Sequence, residues 1–252
     1  MGHPAQGEPR PVKIAILSDI HGNEAALEAV LRDIEQVSAD ETISVGDNIG
    51  YGPDSNAVMT RLAQLHVPSV MGNHEMPVTD RRLLDWFNPI ARASLEIILE
   101  SLTEPVNEMI RRLPRFLVRH GVRFVHGFPP DSPTRYLYQI KEKQLIQYFS
   151  GATERICFIG HTHELFLVTY DGIEVSTKSL SKGRISLSKP CFYIVNAGSV
   201  GQPRDGNNNA KYILWNTELD TLEVRFVPYD IQQTADRIMA AGLPERNARR
   251  LF

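Results

Sequence analysis

Apolar runs alternate with amphipathic segments along the first third of the chain. Residues 12–17 (VKIAIL) are mostly branched and apolar, which is typical of a buried strand. From residue 24 to residue 37 apolar and charged residues recur at roughly helical spacing, which predicts a helix over 24–37. The same order returns with a strand at 42–45, a helix at 55–66 and a strand at 67–71.

Repeated strand–helix units predict parallel strands joined by right-handed crossovers, with helices on the faces of the sheet. Ligands of such folds bind beyond the carboxyl ends of the strands. Each of the three predicted strands is followed by a polar motif, namely SDIHGN, GDN and GNHE. We therefore expect the functional site at this edge of the sheet.

Residues 77–112 have a different character, because helical periodicity and paired arginines replace the strand–helix rhythm. We interpret this segment as a helical insertion beside the site, either a solvated helical face or an element that shapes the substrate pocket. The segment 128–138 (FPPDSPTRYLY) is rich in proline and is expected to form an ordered loop near the site.

Strand-like segments dominate the second half of the chain and predict a second β-sheet there. They lie at 115–118, 122–127, 158–170, 171–176, 184–189, 191–199, 210–216 and 221–230. A last helix is predicted over 231–242, ending at Gly242. No repeat or linker divides the chain. We predict a mobile tail over residues 1–11, a single domain over 12–252, and an α/β (α+β) fold of two packed sheets flanked by helices.

Composition narrows the functional classes. The chain has 252 residues, 42% of them hydrophobic and 23% charged, as in an ordinary soluble globular protein. Its net charge of −3 provides no basic field, so bulk nucleic-acid binding is not expected. No apolar run approaches the length of a membrane span, and the N-terminal residues contain no apolar signal-peptide core, which favours a cytoplasmic location without membrane contact. Cys157 and Cys191 lie in apolar segments and are expected to be buried, reduced thiols.

Five of the eight histidines lie in motifs at the ends of predicted strands. Taken singly, these motif residues have simpler explanations, such as a helix N-cap at Asp19 or a structural histidine at His126. Together the candidate ligands are Asp19, His21, Asp47, Asn73, His126, His161 and His163. Mixed oxygen and nitrogen ligands suit divalent Mn, Fe, Zn or Ni. Seven candidates exceed the four of a structural zinc site, and Asp47 at the middle strand end is the natural bridge between two ions.

The segment FIGHTHELF, residues 158–166, contains two of these histidines. If the segment is extended, His161 and His163 point to the same face. They could then ligate one metal, ligate two, transfer protons, or simply be polar residues near a strand end. The pair alone does not decide between these roles.

The motifs together resemble a known signature. SDIHGN, GDNIGYGP, MGNHE, VHG and GHTH occur in the order of the calcineurin-like metallophosphoesterase signature, from residue 18 to residue 163. The later NAGSVGQPR, residues 196–204, resembles a stretch of the small bacterial and archaeal phosphodiesterases. The resemblance implies a four-layer α/β/β/α sandwich of two mixed sheets, in agreement with the two sheets predicted above.

The resemblance also implies a role for each motif residue. Asp19, His21 and His163 would hold one divalent metal ion, Asn73, His126 and His161 would hold a second, and Asp47 would bridge the two. His74 would contact the phosphate and the leaving oxygen. The implied activity is dinuclear metal-dependent hydrolysis of phosphate esters, with a metal-bridging hydroxide attacking phosphorus in line. We expect a phosphodiesterase or a broad-specificity phosphatase that acts on a small phosphate ester or nucleotide.

Two departures from the family pattern refine this expectation. GDNIGYGP lacks the arginine that protein Ser/Thr phosphatases carry after this motif, which weakens a protein-phosphatase interpretation. Ala197 stands where related small phosphodiesterases often have proline. Asn48 and Tyr51 are candidates to line the site, and Arg204 either contacts a phosphate or is a surface arginine. Glu75 is expected to be solvated or structural.

Two other functions remain as alternatives. A non-catalytic protein-binding scaffold on the same fold is disfavoured, because such members tend to lose catalytic histidines and this chain keeps all of them, His74 included. A metal-dependent peptide or amide hydrolase is disfavoured, because the chain has no HExxH motif.

Overall fold

The computed structural model describes residues 12–252, so the tail predicted for residues 1–11 lies outside the described residues. The strands are Lys13–Leu17 (β1), Glu41–Ser44 (β2), Phe116–Arg119 (β3), Val122–Val125 (β4), Ile156–Ile159 (β5), Leu165–Tyr170 (β6), Val175–Ser179 (β7), Gly183–Ser186 (β8), Phe192–Ala197 (β9), Ala210–Asn216 (β10) and Thr221–Val227 (β11). The helices are Glu24–Gln36 (α1), Ser55–Gln64 (α2), Pro89–Ser101 (α3), Glu104–Arg111 (α4), Glu142–Gly151 (α5), Ile231–Ala240 (α6) and Glu245–Arg249 (α7).

The strands form two mixed sheets. One has the order β2-β1-β10-β11-β8 and the other the order β3-β4-β5-β9-β6-β7. β1 pairs with β2 in parallel, and β4, β5 and β9 are mutually parallel, while the remaining pairs are antiparallel. The carboxyl ends of β1, β2, β4 and β5 carry SDIHGN, GDN, VHG and GHTH, and GNHE follows a single bridge between Ser69 and β2.

The inner faces of the two sheets share one apolar core. Phe124 and Phe158 stack at 5.4 Å in one sheet, and the Phe158 ring lies 5.6 Å from Trp215 of the other. On the outer faces, α1 packs against Tyr212 of the five-stranded sheet, and Phe149 of α5 packs on the six-stranded sheet. These contacts confirm the predicted four-layer α/β/β/α sandwich.

The prediction that the second half forms a sheet of its own is wrong. β8, β10 and β11 return to the first sheet beside β1, whereas β3 and β4 join the second. Tyr212 of β10 faces the α1 side and Trp215 faces the core between the sheets, so both faces of this strand are buried. A nearly continuous apolar strand fits the centre of any sheet, and its local pattern does not encode which partner it takes.

Two further local predictions are corrected. Residues 67–71 are not a strand, because only Ser69 bridges Ser44 in parallel and Pro68 has no N–H to donate to a ladder. The run 158–170 breaks at residues 160–164 into β5 and β6, so the two histidines of GHTH lie in a loop rather than on one strand. Helices α5 and α7 were not predicted.

The segment 77–112 is helical, as predicted. It contains the 3₁₀ turn Arg81–Trp86 followed by α3 and α4, and its apolar side chains pack with those of α6 and α7. Leu95 of α3, for example, shares a buried cluster with Ile49 and Ile238. The segment therefore rests on the loop after β2 and on the C-terminal helices.

Both cysteines are free thiols. Cys157 is buried within β5, and burial raises the pKa of its thiol to about 12. Cys191 is only half-buried, so the expectation of burial holds for one of the two. Among residues 12–252, no helix is both long and apolar enough to span a bilayer.

Candidate metal centre

Backbone hydrogen bonds join the loop after β1 to the loop after β2. The Asp19 N–H donates to the Gly46 carbonyl at 3.0 Å, and the His21 N–H donates to the Asp47 carbonyl at 2.9 Å. The Asn196 side chain fixes the GHTH loop in turn, donating to the Gly160 carbonyl at 2.7 Å. The motif loops therefore form one hydrogen-bonded unit.

Left-handed backbone conformations cluster in these loops. Positive φ values of 50° to 72° occur at Asp19, His21, Asp47, Tyr51, His161 and His163. Non-glycine residues adopt this region rarely and at a cost, and such residues concentrate where the surrounding structure holds them for function. The conformation turns each of these side chains away from the path that an extended strand would give it.

The first group of side chains comprises Asp19, His21 and His163. The Nε2 atoms of the two histidines lie 3.1 Å apart. The Nδ1 of His21 is 3.0 Å from the Ile49 carbonyl and that of His163 is 2.6 Å from the Gln202 carbonyl. Because a carbonyl only accepts, both Nδ1 atoms carry the proton, and two Nε2 lone pairs face each other. A cation between them would remove that repulsion.

The Asp19 carboxylate completes the first group. Its Oδ1 lies 3.3 Å from His163 Nε2 and 3.6 Å from His21 Nε2, and it is buried without a hydrogen-bond partner. Burial would raise the pKa of Asp19, but His163 and His21 outweigh burial and lower it below its usual range. A buried carboxylate oxygen without a donor is costly, and a metal ion would satisfy it.

The second group surrounds the Nε2 atom of His126. The Nδ1 of this histidine is 2.9 Å from the Val45 carbonyl, so it carries the proton. Its Nε2 lies 3.2 Å from Asp47 Oδ2 and 3.1 Å from Asn73 Oδ1, both of which only accept. Burial opposes a charge on His126, but Asp47 outweighs burial and raises its pKa to about 9. The position attracts positive charge, which a divalent ion would supply.

His161 joins this second group from the GHTH loop. Its Nε2 lies 3.1 Å from the Thr134 carbonyl, which leaves Nδ1 free to act as a ligand, and its ring stacks on Tyr136 at 3.6 Å. One ligand atom from each of Asp47, His126 and His161 lies within 4.8 Å of the others. Burial, aided by His126, lowers the pKa of His161 to about 4, so its imidazole is neutral.

Asp47 belongs to both groups. Its Oδ2 is 3.2 Å from His126 Nε2, 3.7 Å from His21 Nε2 and 3.9 Å from His74 Nε2. Its Oδ1 accepts a hydrogen bond from the His74 N–H at 2.9 Å. The structure thus brings all seven predicted ligands together, with His161 in one group and His163 in the other.

Gly72 allows this approach of the carboxylate. A Cβ at this position would lie 2.1 Å from Asp47 Oδ1 and 2.3 Å from the Asp47 nitrogen. No side chain fits there without displacing Asp47. The glycine of the GNHE motif is therefore required by the packing around Asp47.

Glu75, the last residue of GNHE, is fully buried, so the expectation of a solvated side chain is wrong and the structural one holds. Its carboxylate accepts backbone N–H bonds from Asp47 at 3.1 Å, Asn48 at 2.7 Å, Ile49 at 3.3 Å and Gly72 at 2.8 Å. Burial, reinforced by Asp47, raises the pKa of Glu75 to about 7. Glu75 fixes the loop that presents Asp47.

His74 is buried beside these groups and faces a cavity. Its Nδ1 has no hydrogen-bond partner, and its ring meets His21 edge-on at 4.6 Å and Phe87 at 5.1 Å. With His21 and Asp47 it forms a third cluster of possible ligand atoms. Burial lowers the pKa of His74 to about 3, so the imidazole is neutral.

The other predicted site residues are Tyr51, Arg204 and Asn48, and not all of them lie at the site. Tyr51 lies at the site, with its ring 4.7 Å from those of both His21 and His74. Arg204 is exposed, with its Cζ 5.8 Å from the centre of the Tyr51 ring. Asn48 is not at the cavity, because its buried side chain is bonded to the hydroxyls of Ser44 and Ser69 in the interior. The prediction that Asn48 lines the site is wrong.

A cavity of about 340 Å³ opens beside these residues. It is lined by Tyr51, Asn73, His74, Met76, Leu83, Trp86, Phe87, Asn88, Thr134, Tyr136 and His161. Its walls come from the loops that carry the candidate ligands, from the 77–112 segment and from the 128–138 loop. These two segments therefore border the site, as their positions in the sequence predicted.

Comparison with known proteins identifies the family. The model of the calcineurin-like phosphoesterase superfamily domain matches residues 12–220. The chain belongs to this superfamily. The match spans the motif loops, every strand except β11 and the helices α1 to α5, and it confirms the resemblance found in the sequence.

The similar proteins align with this chain over nearly its whole length. An uncharacterised protein of Methanocaldococcus jannaschii is 31% identical over 244 residues, which are 95% of this chain and 97% of that protein. The crystal structure of a metallophosphoesterase from Sphaerobacter thermophilus is 31% identical, with a TM-score of 0.82, and covers 96% of this chain and 98% of its own. A hypothetical protein from Pyrococcus horikoshii, 22% identical with a TM-score of 0.72 and coverage of 96% and 98%, shares the fold.

The Glu75→Ala substitution should lower the free energy of unfolding by about 3 kcal/mol or more, because four buried N–H groups would lose their common acceptor. Urea denaturation of the chelator-treated protein measures the change. Glu164→Ala, at an exposed position after GHTH, is the matched control and should change stability by less than about 0.5 kcal/mol. Equal stabilities of the two variants would contradict the structural role of Glu75.

Proposed function

We propose that this chain hydrolyses phosphate esters with two divalent metal ions, as a phosphodiesterase or broad-specificity phosphatase. The observation that carries the proposal is the position of Asp47 Oδ2 between two groups of ligand atoms, 3.7 Å from His21 Nε2 and 3.2 Å from His126 Nε2. A carboxylate oxygen that faces two such groups suits a shared ligand, since its charge offsets the repulsion of two cations.

The proposed ligands divide according to the two groups. Asp19, His21 and His163 would hold one ion, Asn73, His126 and His161 the other, and Asp47 both. The lone pairs of His21 and His163 and the unpartnered Asp19 Oδ1 fit a cation at the first position. The acceptors around His126 Nε2 fit one at the second. Nitrogen and oxygen donors without cysteine suit Mn, Fe, Zn or Ni.

Bound divalent ions would supply Lewis acidity toward phosphoryl oxygens and acidify a water molecule. The chain itself supplies His74. This imidazole is neutral, faces the cavity and has an Nε2 only 3.9 Å from Asp47 Oδ2. A neutral imidazole can donate a hydrogen bond to a phosphoryl oxygen, whereas giving a proton to the leaving oxygen would require the imidazolium, which the negative charge of a bound phosphate would favour.

The cavity would take the organic part of the ester. Its walls include the aromatic rings of Trp86, Phe87 and Tyr136, and no lysine or arginine is among the described residues that line it. Apolar and aromatic walls with a few polar groups are typical of sites for small molecules. The aromatic walls favour a planar group such as a nucleobase.

A panel of substrates tests the activity. Purified protein supplemented with Mn²⁺ should hydrolyse at least one member of a set comprising a phosphomonoester, a phosphodiester, 2′,3′- and 3′,5′-cyclic nucleotides and a dinucleoside polyphosphate. Chelator should abolish turnover, and added metal should restore it. Inactivity on every substrate with two ions bound per chain would contradict the proposal and favour a non-catalytic scaffold.

The His74→Asn substitution should lower kcat by about 10²- to 10⁴-fold and leave the metal content unchanged, because it removes the imidazole that would contact the phosphate and the leaving oxygen but none of the proposed ligands. Steady-state kinetics and elemental analysis measure the two quantities. His66→Asn, at an exposed histidine outside the site, is the control and should keep full activity. Wild-type rates in a metal-loaded His74→Asn protein would refute the role of His74.

The Asp47→Ala substitution should impair binding at both metal positions, because both would lose the same carboxylate. The wild type and the variant are dialysed against the same buffer with excess metal and then against metal-free buffer. Elemental analysis should then show fewer than two ions per chain in the variant. Asp47→Asn preserves the shape of the side chain and removes its charge, so it separates loss of ligation from loss of folding. Asp236→Ala, on the exposed face of α6, is the control. Two ions per chain in both Asp47 variants would disprove the bridge.

A further inference from the structure

A basic groove that shares no lining residue with the aromatic cavity lies near Tyr51. It has a volume of about 370 Å³ and is lined by Pro203, Arg204, Gly206, Asn207, Asn208, Arg250 and Phe252. Arg204 comes from the loop after β9, and Arg250 follows α7. The two arginines are 46 positions apart in sequence, and the fold brings them to one groove.

Neither guanidinium of this groove has a carboxylate partner among residues 12–252. The side-chain partner of Arg204 is the Gln202 amide oxygen at 3.1 Å. The neighbouring Asp205 is bonded to the buried Lys211 at 2.6 Å instead. Arg250 is half-buried, and other half-buried arginines pair with carboxylates, as Arg123 does with Glu154, Arg155 with Asp220 and Arg225 with Asp33.

The two arginines converge on the hydroxyl end of Tyr51. Arg204 lies over the Tyr51 ring, with Cζ 5.8 Å from its centre. Burial and the nearby Arg204 charge lower the pKa of Arg250, while Tyr51 opposes that change. Two cations held together without a counter-charge destabilise each other, and an anion between them reverses the sign of the interaction. Paired guanidiniums present several N–H donors in a planar fork, which matches phosphate oxygens.

The groove is joined to the metal centre by short contacts. The Tyr51 ring lies 4.7 Å from that of His74, and Arg204 of the groove lies over the same ring. The Arg204 backbone N–H donates to the His163 carbonyl at 3.2 Å. Asn247 of α7 donates to the Tyr51 carbonyl at 3.1 Å, which fixes the helix before Arg250 against the same tyrosine. A ligand that reaches around one tyrosine ring would touch both sites.

We propose that Arg204 and Arg250 bind a second phosphate group of the substrate. This inference rests on the proposed phosphoesterase function and deepens it, because it names the class of ester. Preferred substrates carry one phosphate at the metal centre and a further phosphate in the groove, as in nucleoside bisphosphates or polyphosphates. A phosphate ester without a second anionic group would leave the two guanidiniums unpaired and would be a poorer substrate.

The test compares substrates with and without a second phosphate. AMP serves as the ester with one phosphate, and ADP, adenosine 3′,5′-bisphosphate and diadenosine tetraphosphate serve as the others. For wild-type protein with Mn²⁺, kcat/KM of the best polyphosphate should exceed that of AMP by about tenfold or more, as one charge-assisted contact implies. Arg250→Gln and Arg204→Gln should each lower this ratio toward one. Arg250→Lys should retain part of it.

Arg249→Gln is the matched control, because Arg249 lies next to Arg250 and pairs with Glu245 instead. Its ratio should equal that of the wild type. Equal kcat/KM for AMP and every polyphosphate, unchanged in Arg250→Gln, would overturn the second phosphate site and leave the phosphoesterase function standing.

A binding measurement separates this inference from the activity itself. Calorimetric titration of chelator-treated protein with pyrophosphate should show binding that weakens about tenfold in Arg250→Gln and falls with added salt. If the wild type hydrolyses nothing yet binds pyrophosphate through Arg250, the phosphoesterase function fails and the anion site stands. Equal pyrophosphate affinities of wild type and Arg250→Gln would overturn the anion site.

Discussion

The site depends on one buried carboxylate, that of Asp47. Burial alone would raise the pKa of Asp47, yet the surrounding histidines, His126 foremost, hold it well below its usual range. Electrostatic attraction therefore outweighs desolvation, and the charge remains in the interior. Each carboxylate oxygen has its own task, since Oδ1 is held by the His74 N–H while Oδ2 faces both groups of ligand atoms.

Most of the surrounding loops help to position the Asp47 carboxylate. Gly72 lets the chain approach Asp47, and Glu75 binds the N–H groups around it, so the GNHE motif supports the side chain of the preceding GD motif. The left-handed conformations at the loop ends carry a backbone cost. Hydrogen bonds between loops, such as that from the His21 N–H to the Asp47 carbonyl, offset it. This pre-organisation holds the Nε2 lone pairs of His21 and His163 close together in the absence of a cation.

Sequence reasoning found the ligand candidates because parallel strands bring their carboxyl ends to one edge, and the motifs mark those ends. It could not assign strands to sheets, since β10 is apolar on both faces and suits the centre of either sheet. Asn48 was misjudged for a related reason, and for the same reason the sequence left Glu75 open between a solvated and a structural role. A polar residue beside a motif has the same local pattern whether it faces a cavity or satisfies buried groups, and only the tertiary structure distinguishes the two. Arg204 and Arg250 likewise meet in one groove only because α7 packs beside the site, and no sequence pattern around either residue predicts that contact.

The aromatic cavity and the basic groove both lie near Tyr51, and their chemistry differs. The cavity presents aromatic rings without a lysine or arginine among its described lining residues, and the groove presents two guanidiniums that have no carboxylate partner among residues 12–252. Apolar walls gain by covering a planar group, whereas unpaired cations gain by binding an anion. An ester with a planar group at one end and an anion at the other would satisfy both sides in a single orientation. If the groove binds a phosphate of the ester, that contact would determine which of its phosphates meets His74.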